Sequence, residues 1–174
     1  MWDFFETVRH RHSVRKYQRD NAVETEKLHA VLENICAAPS AGDLQAYHLY
    51  VIRNATLRQQ LVKACADQQF VAEAPICLVF CAAPQRSAAR FGPRGRDLYA
   101  LQDATIAAAY AQLAAVAAGL ATTWVGEFDE HRVAATLQIN ESLRPIAILS
   151  LGYAAEYPEP TPRRKLAELV SFRD

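Results

Sequence analysis

Three polar side chains near the start of the chain have the types and the spacing of an anion-binding row. Arg11, Ser13 and Arg15 stand at alternate positions of the segment RHRHSVR. In an extended backbone alternate side chains point the same way, whereas in a helix they would be turned about 200° apart. Two guanidiniums and a hydroxyl supply several donors to a phosphate dianion, and each such hydrogen bond contributes about 1.5–3 kcal/mol. The row therefore indicates a phosphate site, although a solvated basic face would have the same composition.

Two further segments have compositions suited to a cofactor site. Arg163 and Arg164 precede Lys165 on a proline-rich stretch, from which they could fold back to complete a phosphate site or simply lie on the surface. Residues 38–45, APSAGDLQ, place a helix end beside small and polar residues. Such a loop lets the backbone approach a flat ligand closely, but an ordinary helix-to-strand turn has the same composition.

Several common signatures of enzymes and metal sites are absent from the sequence. It contains no GxGxxG, GxxxxGK[ST], GxSxG or HExxH motif. The 5 histidines show no paired ligand spacing, so no metal site is predicted. The 4 cysteines form no CxxC pair and are interpreted as small buried hydrophobic residues of a reducing compartment.

Apolar periodicity and capping residues predict the helices. Leu28 to Cys36 follow helical spacing, with Asn21 or Thr25 available as the N-cap. Asn54 can cap a second amphipathic helix, and Asp129 can cap a short one. These helices must alternate with strands, because apolar runs of strand length lie between them.

Four apolar runs predict strands, and one segment predicts a loop. The strands are expected at Tyr47 to Ile52, Ile76 to Ala82, around Thr122 to Val125, and Ile146 to Leu151. The second run is nearly all apolar, so we expect a central strand covered on both faces. Residues 84–97 combine proline, glycine and four arginines, which predicts an exposed loop.

Length and composition predict one globular domain over residues 1–174. Hydrophobic residues make up 51% and charged residues 22%, as in ordinary soluble domains. Residues 155–174 form an expected C-terminal arm, since Pro158, Pro160 and Pro162 favour extended backbone before a last short helix near Leu166. The chain is therefore expected to have one core and one extended tail.

Charge and targeting signals limit the classes of partner and the cellular location that we expect. The formal net charge is +0, which argues against a dedicated nucleic-acid binder. Asp3 and Glu6 interrupt the apolar stretch that a secretory signal would need, so a cytoplasmic location is expected. Ala104 to Gly126 lacks charge and is long enough to cross a bilayer, but alanine dominates it. We interpret it as a helix buried on all sides, with small side chains suited to a subunit interface and no membrane span.

Four segments, in this order along the chain, resemble the FMN-dependent nitroreductase family. They are RHSVRKY at 11–17, APSAGDLQAYHLYVI at 38–52, ALQDATIAAAYAQLAAVAAGLATTWVGEFDE at 100–130 and LSLGYAAEYPEPTPRRKLAELV at 149–170. Because the match is collinear and spans nearly the whole sequence, the chain is identified as a compact member of that family. The resemblance implies an α+β fold with a central, mostly antiparallel sheet flanked by helices. It also implies a homodimer with FMN at the subunit interface and the alanine-rich helix in the dimer core.

The resemblance assigns individual residues to FMN binding. One group matches the motif that holds the phosphate and ribityl groups: Arg11, His12, Ser13 and Arg15. Arg163 or Arg164 matches the C-terminal basic residue that completes the phosphate site. Another group matches the loop that the partner subunit lays against the flavin: Pro39, Ser40, Ala41, Asp43 and Gln45. Gly126 and Glu127 match the stretch whose backbone approaches flavin N5.

The chemistry implied by the resemblance is a ping-pong hydride transfer. NAD(P)H reduces the flavin and leaves, and a small electron acceptor such as a nitroaromatic or quinone takes its place. The cofactor performs the hard step, so no nucleophile or catalytic dyad is required. The alternatives are a specialised flavin reaction (flavin fragmentation, dehalogenation or peptide dehydrogenation), a non-catalytic flavin-binding protein, and a polyanion-binding arm at residues 9–19.

Two departures from the family pattern carry their own hypotheses. Asp43 stands where the family commonly has Asn, and a carboxylate there would either accept from a flavin N–H or oppose the anionic reduced ring. The segment between the second strand and the long helix is short, which predicts an open site. Its arginines are candidates to meet a nicotinamide-cofactor phosphate or an acidic substrate: Arg86, Arg90, Arg94 and Arg96.

Overall fold

The computed structural model describes residues 3–173 and contains seven α-helices and four β-strands in that range. The helices are α1 (Phe4–His10), α2 (Thr25–Cys36), α3 (Ala55–Ala64), α4 (Phe70–Glu73), α5 (Pro84–Arg94), α6 (Ala100–Ala117) and α7 (Glu130–Leu137). The strands are β1 (Tyr47–Ile52), β2 (Ile76–Ala82), β3 (Ala121–Val125) and β4 (Arg144–Gly152). Short turns of 3₁₀-helix lie at Ala41–Asp43 and Leu166–Glu168.

The strands form one 4-stranded sheet in the order β1-β2-β4-β3. Every pairing in it is antiparallel. The two central strands are almost entirely apolar, and every residue of β2 is buried. Strands with such composition need cover on both faces, and helices supply it here. The expected α+β fold with an antiparallel sheet is confirmed.

The alternation of side chains along β2 divides the core into two layers. Leu78 and Phe80 pack with residues of α2 and α6 on one face. Cys77, Val79 and Cys81 pack with residues of α3 and α7 on the other. Because successive side chains of a strand point to opposite faces, one short apolar run anchors helices on both sides.

Most predicted boundaries and caps are confirmed. Asn54 accepts from the Leu57 amide, and Asp129 accepts from the Arg132 amide, as N-caps of α3 and α7. The predicted cap of α2 is wrong, because Glu24 holds that position without a side-chain hydrogen bond. Asn21 lies before this helix end, and its side chain donates to the Gln18 side chain at 3.1 Å.

The prediction of an exposed loop at residues 84–97 is wrong. Pro84 begins α5, and a turn of π-helix, Gly95–Tyr99, joins α5 to α6. Gly92 has a φ of 57°, which kinks the helix immediately before Pro93. The glycine and proline therefore mark a bend between helical segments, because proline is tolerated where a helix restarts.

The cysteines are all unpaired, and three of them are buried as predicted. Burial raises the pKa of Cys65, Cys77 and Cys81 to about 12, which keeps these thiols protonated and inert. Cys36 is exposed at the end of α2, so its predicted burial is wrong. The last turn of α2 directs Ile35 into the core and Cys36 away from it.

The alanine-rich helix α6 is buried on most of its surface but not on all sides. Its exposed residues form an uncharged stripe: Gln102, Thr105, Ala109, Tyr110 and Ala117. The prediction of complete burial is therefore wrong for a single chain. None of the helices within residues 3–173 is long and apolar enough to cross a membrane.

Candidate active site

The Arg11–Arg15 segment is extended, as its spacing predicts. It crosses the end of the sheet where β3 begins, and the Val14 amide donates to the Thr122 carbonyl at 3.1 Å. A parallel bridge joins Ser13 to Thr122, and Val14 is buried with 6% exposure. Val14 therefore anchors the segment, and Arg11, Ser13 and Arg15 lie at the positions that alternate with it.

Two arginines from opposite ends of the chain come close enough to repel each other. Burial lowers the pKa of Arg11, and the positive charge of Arg163 lowers it further. Within residues 3–173 no carboxylate pairs with either guanidinium. Arg164 instead pairs with Glu168, with Nε 3.3 Å from Oε2. The C-terminal segment thus returns to Arg11, and the arrangement fits a dianionic phosphate between Arg11 and Arg163.

Arg15 retains an unneutralised charge although an acidic residue is close. The Glu156 carboxylate accepts from the Arg15 backbone amide at 2.8 Å and lies 3.8 Å from the Lys16 ammonium. The Arg15 guanidinium lies 5.9 Å from the centre of the Phe70 ring. Because Glu156 serves the backbone and Lys16, the Arg15 guanidinium remains available to a ligand.

The structure separates His12 from the arginine row. His12 and Val14 border a cavity of about 500 Å³ together with Val116 and Leu120, and neither Arg11, Ser13 nor Arg15 borders it. Alternation along the extended backbone explains this separation. The contact of His12 with the cofactor stays a prediction, and the structure places His12 beside a different cavity from the arginine row.

The Pro39–Gln45 loop is held from beneath by a buried carboxylate. Asp103 of α6, only 1% exposed, accepts from the Ala41 amide at 2.9 Å and from the Ala46 amide at 3.1 Å. The Ser40 hydroxyl accepts from the Gln45 amide at 2.9 Å, and the Gln45 side chain donates to the Cys36 carbonyl at 2.9 Å. The polar groups of Ser40 and Gln45 are thus engaged within the chain, whereas Asp43 is exposed.

Arginines of α5 hold the same loop from its other side. Arg86 donates to the Leu44 carbonyl, and Arg90 donates to the Gly42 carbonyl at 3.0 Å. Gly42 has a φ of +58°, and a Cβ there would lie 2.6 Å from Arg90 Nη1. The loop therefore requires glycine at this position.

The remaining two arginines are also engaged within the chain. Arg94 donates to the Tyr99 hydroxyl at 3.0 Å, and Arg96 lies 2.7 Å from the Asp97 carboxylate. The side chains predicted to meet an acidic substrate thus all have intramolecular partners. Arg86 and Arg90 shape the loop, which is a role that their composition alone did not reveal.

Gly126 and Glu127 are exposed immediately after β3, where their backbone is open to a ligand. The turn is fixed by the Asp129 amide, which donates to the Ala64 carbonyl at 2.8 Å. The Gln68 side chain donates to the Glu127 carbonyl at 3.4 Å. Sequence reasoning missed Gln68, since nothing in a pair of glutamines between helices distinguishes it from any other exposed polar residue. Asp103 was detectable as the acidic residue that begins an otherwise uncharged helix.

The two groups of predicted residues lie at opposite edges of the sheet. The Pro39–Gln45 loop leads into β1, whereas Ser13 and Gly126 flank β3. The order β1-β2-β4-β3 places three strand spacings between these edges, or about 14 Å. The structure therefore brings Arg11, Ser13, Arg15 and Arg163 toward β3, and it does not bring the Pro39–Gln45 loop to them.

The fold is an α+β arrangement with a row of basic and hydroxyl side chains beside an edge strand, and comparison with known proteins identifies the family. A family model described as the nitroreductase family matches residues 8–75 and 66–153. The chain belongs to the nitroreductase family.

Relatives and a solved structure agree with this assignment. The chain is 31% identical over 160 residues to a Methanothermobacter thermautotrophicus protein named as a candidate NADH dehydrogenase/NAD(P)H nitroreductase, covering 90% of this chain and 80% of that protein. It is 30% identical over 190 residues to an NADH dehydrogenase of Thermus thermophilus, covering 94% and 92% of the two chains. The NADPH:FMN oxidoreductase of Vibrio harveyi, solved with NAD⁺, superposes with a TM-score of 0.89 at 24% identity, covering 98% of this chain and 77% of that one.

Proposed function

We propose that the protein is an FMN oxidoreductase that takes a hydride from NAD(P)H and delivers electrons to a small organic acceptor such as a nitroaromatic or quinone. Family membership supports an NAD(P)H-dependent oxidoreductase with FMN as its cofactor. The observation that carries the proposal is the pair of guanidiniums, Arg11 and Arg163, which approach each other without a neutralising carboxylate in the described part of the chain. The two positive charges repel each other, and a dianionic phosphate between them would neutralise that repulsion.

The chain's own residues supply binding and orientation. Arg11, Ser13 and Arg163 hold the phosphate of FMN, and Arg15 places a positive charge near the flavin ring. The exposed backbone at Gly126 and Glu127 would meet the reacting edge of the ring, where hydrogen-bond donors favour added negative charge. Gln68 holds the Glu127 carbonyl and so orients this turn.

FMN, when bound, accepts a hydride from NAD(P)H and releases electrons to the second substrate. The two substrates use the same place in turn, so the reaction follows a ping-pong order. The exposed position of Gly126 and Glu127 leaves room for both. Because Arg86, Arg90, Arg94 and Arg96 all have partners within the chain, we expect the nicotinamide donor to bind mainly by stacking.

We propose that the functional unit is a homodimer. The two halves of the site lie at opposite edges of the sheet in one chain, so two chains are needed to bring them together. A second copy would lay its Pro39–Asp43 loop against the flavin held beside β3. The uncharged stripe of α6 continues onto Phe4 and Val8 of α1, which are 66% and 45% exposed. This surface and the groove of about 450 Å³ between Phe4 and Tyr110 suit a partner helix.

The C-terminal arm supports the same assembly. Tyr157 and Phe172 are 93% and 81% exposed, and Leu166 is 72% exposed. Apolar side chains on an extended segment of a single chain stay in contact with water and do not add to the burial that stabilises the fold. We therefore expect the second chain to cover them. The neutral net charge argues against nucleic acid as a partner, and the three buried thiols are consistent with a cytoplasmic location.

An absorbance experiment tests the proposal directly. The purified protein is mixed with FMN, freed of excess cofactor, and titrated anaerobically with NADH and then NADPH. Bleaching of a protein-bound flavin band is the expected result, and the donor that causes it at the lower concentration is the preferred one. Bound flavin that neither donor bleaches would contradict the oxidoreductase, and absence of binding would contradict the phosphate site.

A further inference from the structure

A polar cavity that no residue assigned to FMN borders lies on another part of the surface. It has a volume of about 310 Å³ and lies between α3, α4 and the segment that follows Tyr17. Its lining consists of two arginines, two glutamines, one glutamate and two small apolar residues: Arg19, Arg58, Gln59, Gln69, Ala72, Glu73 and Pro75. Cavities of this size hold small molecules rather than single waters.

Arg58 is the unusual member of this lining. It is only 9% exposed, and its Nη1 donates to the Arg53 carbonyl. Its Nε is buried and has no hydrogen-bond partner among the described residues. A guanidinium carries five donors in a planar fork, so most of the hydrogen-bonding capacity of Arg58 remains unused.

No carboxylate compensates the charge of Arg58 within residues 3–173. Glu73 is the acidic residue that borders the cavity, and its Oε1 lies 2.6 Å from Nη2 of Arg19. Glu73 is therefore committed to Arg19, and the cavity retains the net positive charge of Arg58. A buried charge without a partner is strongly unfavourable, and proteins resolve this with a counter-ion or a ligand.

We propose that this cavity binds a small oxyanion, a phosphate or carboxylate group, at the Arg58 guanidinium. A planar fork of donors matches the two oxygens of such a group. The Gln59 side chain lies at the rim, where its amide can donate to the same anion. The site is independent of the proposed flavin chemistry, because none of the residues assigned to FMN borders the cavity.

Calorimetric titration of the FMN-loaded protein tests this proposal. Excess FMN first fills the Arg11 site, and inorganic phosphate and acetate are then titrated separately at ionic strength held constant with chloride. We expect saturable binding of at least one of these probes, and Arg58→Gln should weaken it roughly tenfold or more, since a hydrogen bond to a charged group of this kind is worth that factor. Binding of phosphate alone would identify a phosphoryl ligand, and binding of both would identify the shared oxyanion chemistry.

Two further variants distinguish a loss of anion binding from a loss of folding. Lys63→Gln removes one positive charge from the same helix but lies outside the cavity, so it should leave binding unchanged. Glu73→Gln removes the competing carboxylate and should tighten binding severalfold, even if Arg58→Gln fails to fold. Absence of saturable binding, or equal affinity in wild type and in the Arg58 and Glu73 variants, would overturn the proposal.

Discussion

The two edges of the sheet carry the two halves of the candidate site in opposite physical states. At the β3 edge, Arg11 and Arg163 repel each other and have no carboxylate partner among residues 3–173. At the β1 edge, Asp103 and Arg90 tie the Pro39–Gln45 loop down by hydrogen bonds to its backbone. The first region has positive charges suited to an anionic ligand, whereas the hydrogen bonds of the second are satisfied within the chain.

This difference distinguishes a region suited to binding a ligand, at the β3 edge, from a region that keeps its conformation without one, at the β1 edge. An unpaired cluster costs stability in the absence of the cofactor and returns it on binding, because the anion supplies the missing charge. A loop whose backbone is held by hydrogen bonds within the chain loses little conformational entropy on binding, and it presents a fixed surface. Variants at the β1 edge should therefore alter folding, and variants at the β3 edge should alter cofactor affinity.

The largest effect is expected at Asp103. Asp103→Ala leaves the Ala41 and Ala46 amides without an acceptor, which should lower the free energy of unfolding by about 2–6 kcal/mol. Urea denaturation measures the change, and Gln102→Ala on the exposed face of α6 is the control. A loss no greater than that of the control would show that Asp103 does not hold the loop.

Gly42→Ala should rank second, because it combines a positive φ with a close contact. The left-handed conformation costs about 1–2 kcal/mol, and crowding against Arg90 adds about 1 kcal/mol or more. Gly119→Ala is a matched control, since Gly119 has a φ of +75° and a Cβ added there would meet nothing within 4 Å. Equal losses of unfolding free energy in the two variants would refute the contribution of the Arg90 contact.

Arg11→Gln should affect cofactor binding without harming the fold. FMN affinity should fall about 10–100-fold, because a charge-assisted hydrogen bond is lost. The unfolding free energy of the cofactor-free protein should stay the same or rise, since removing Arg11 relieves its repulsion with Arg163. Flavin fluorescence titration and urea denaturation measure the two quantities.

Arg164→Gln provides the control for this prediction. Arg164 lies beside Arg163 in sequence but pairs with Glu168, so its removal should change FMN affinity less than about threefold. A similar loss of affinity in both variants would mean that general positive charge, rather than the Arg11 and Arg163 pair, attracts the phosphate.

The smallest effect is expected at Asp43. If the loop of one chain meets the flavin of another, Asp43→Asn removes a negative charge near the reduced ring and should raise its two-electron potential by about 15–30 mV. Spectroelectrochemistry measures the shift, with Glu26→Gln on the exposed side of α2 as the control. A lowered potential would indicate that Asp43 accepts a hydrogen bond from the ring instead.

The sequence was sufficient to predict the fold where local signals agree with packing. The run Ile76 to Ala82 is a buried central strand as predicted, and Asn54 and Asp129 cap their helices. It was insufficient at residues 84–97, where Gly92 and Pro93 have the composition of a loop but form a kink. The difference arises because Arg86 and Arg90 bond to a loop more than 40 positions earlier, and no local pattern records that contact.

The extended backbone of the candidate site could be predicted from its residues, whereas the roles of those residues stay predictions. Alternation predicted the extended Arg11–Arg15 row and also separates His12 from it. The choice between Arg163 and Arg164 depends on the path of the arm, because Arg164 pairs with Glu168 whereas Arg163 lies near Arg11. Tertiary contacts decide such assignments, and spacing in sequence cannot supply them.

The exposed apolar arm has a consequence for how this protein responds to dilution. Tyr157, Leu166 and Phe172 are exposed in the single chain, and in the proposed homodimer a second chain would cover them, so that part of the burial would depend on association. Its thermal midpoint should therefore rise with protein concentration, as mass action requires. Dilution would therefore lower the stability of such a protein. In the dissociated chain the arm should be the first segment that a protease cleaves.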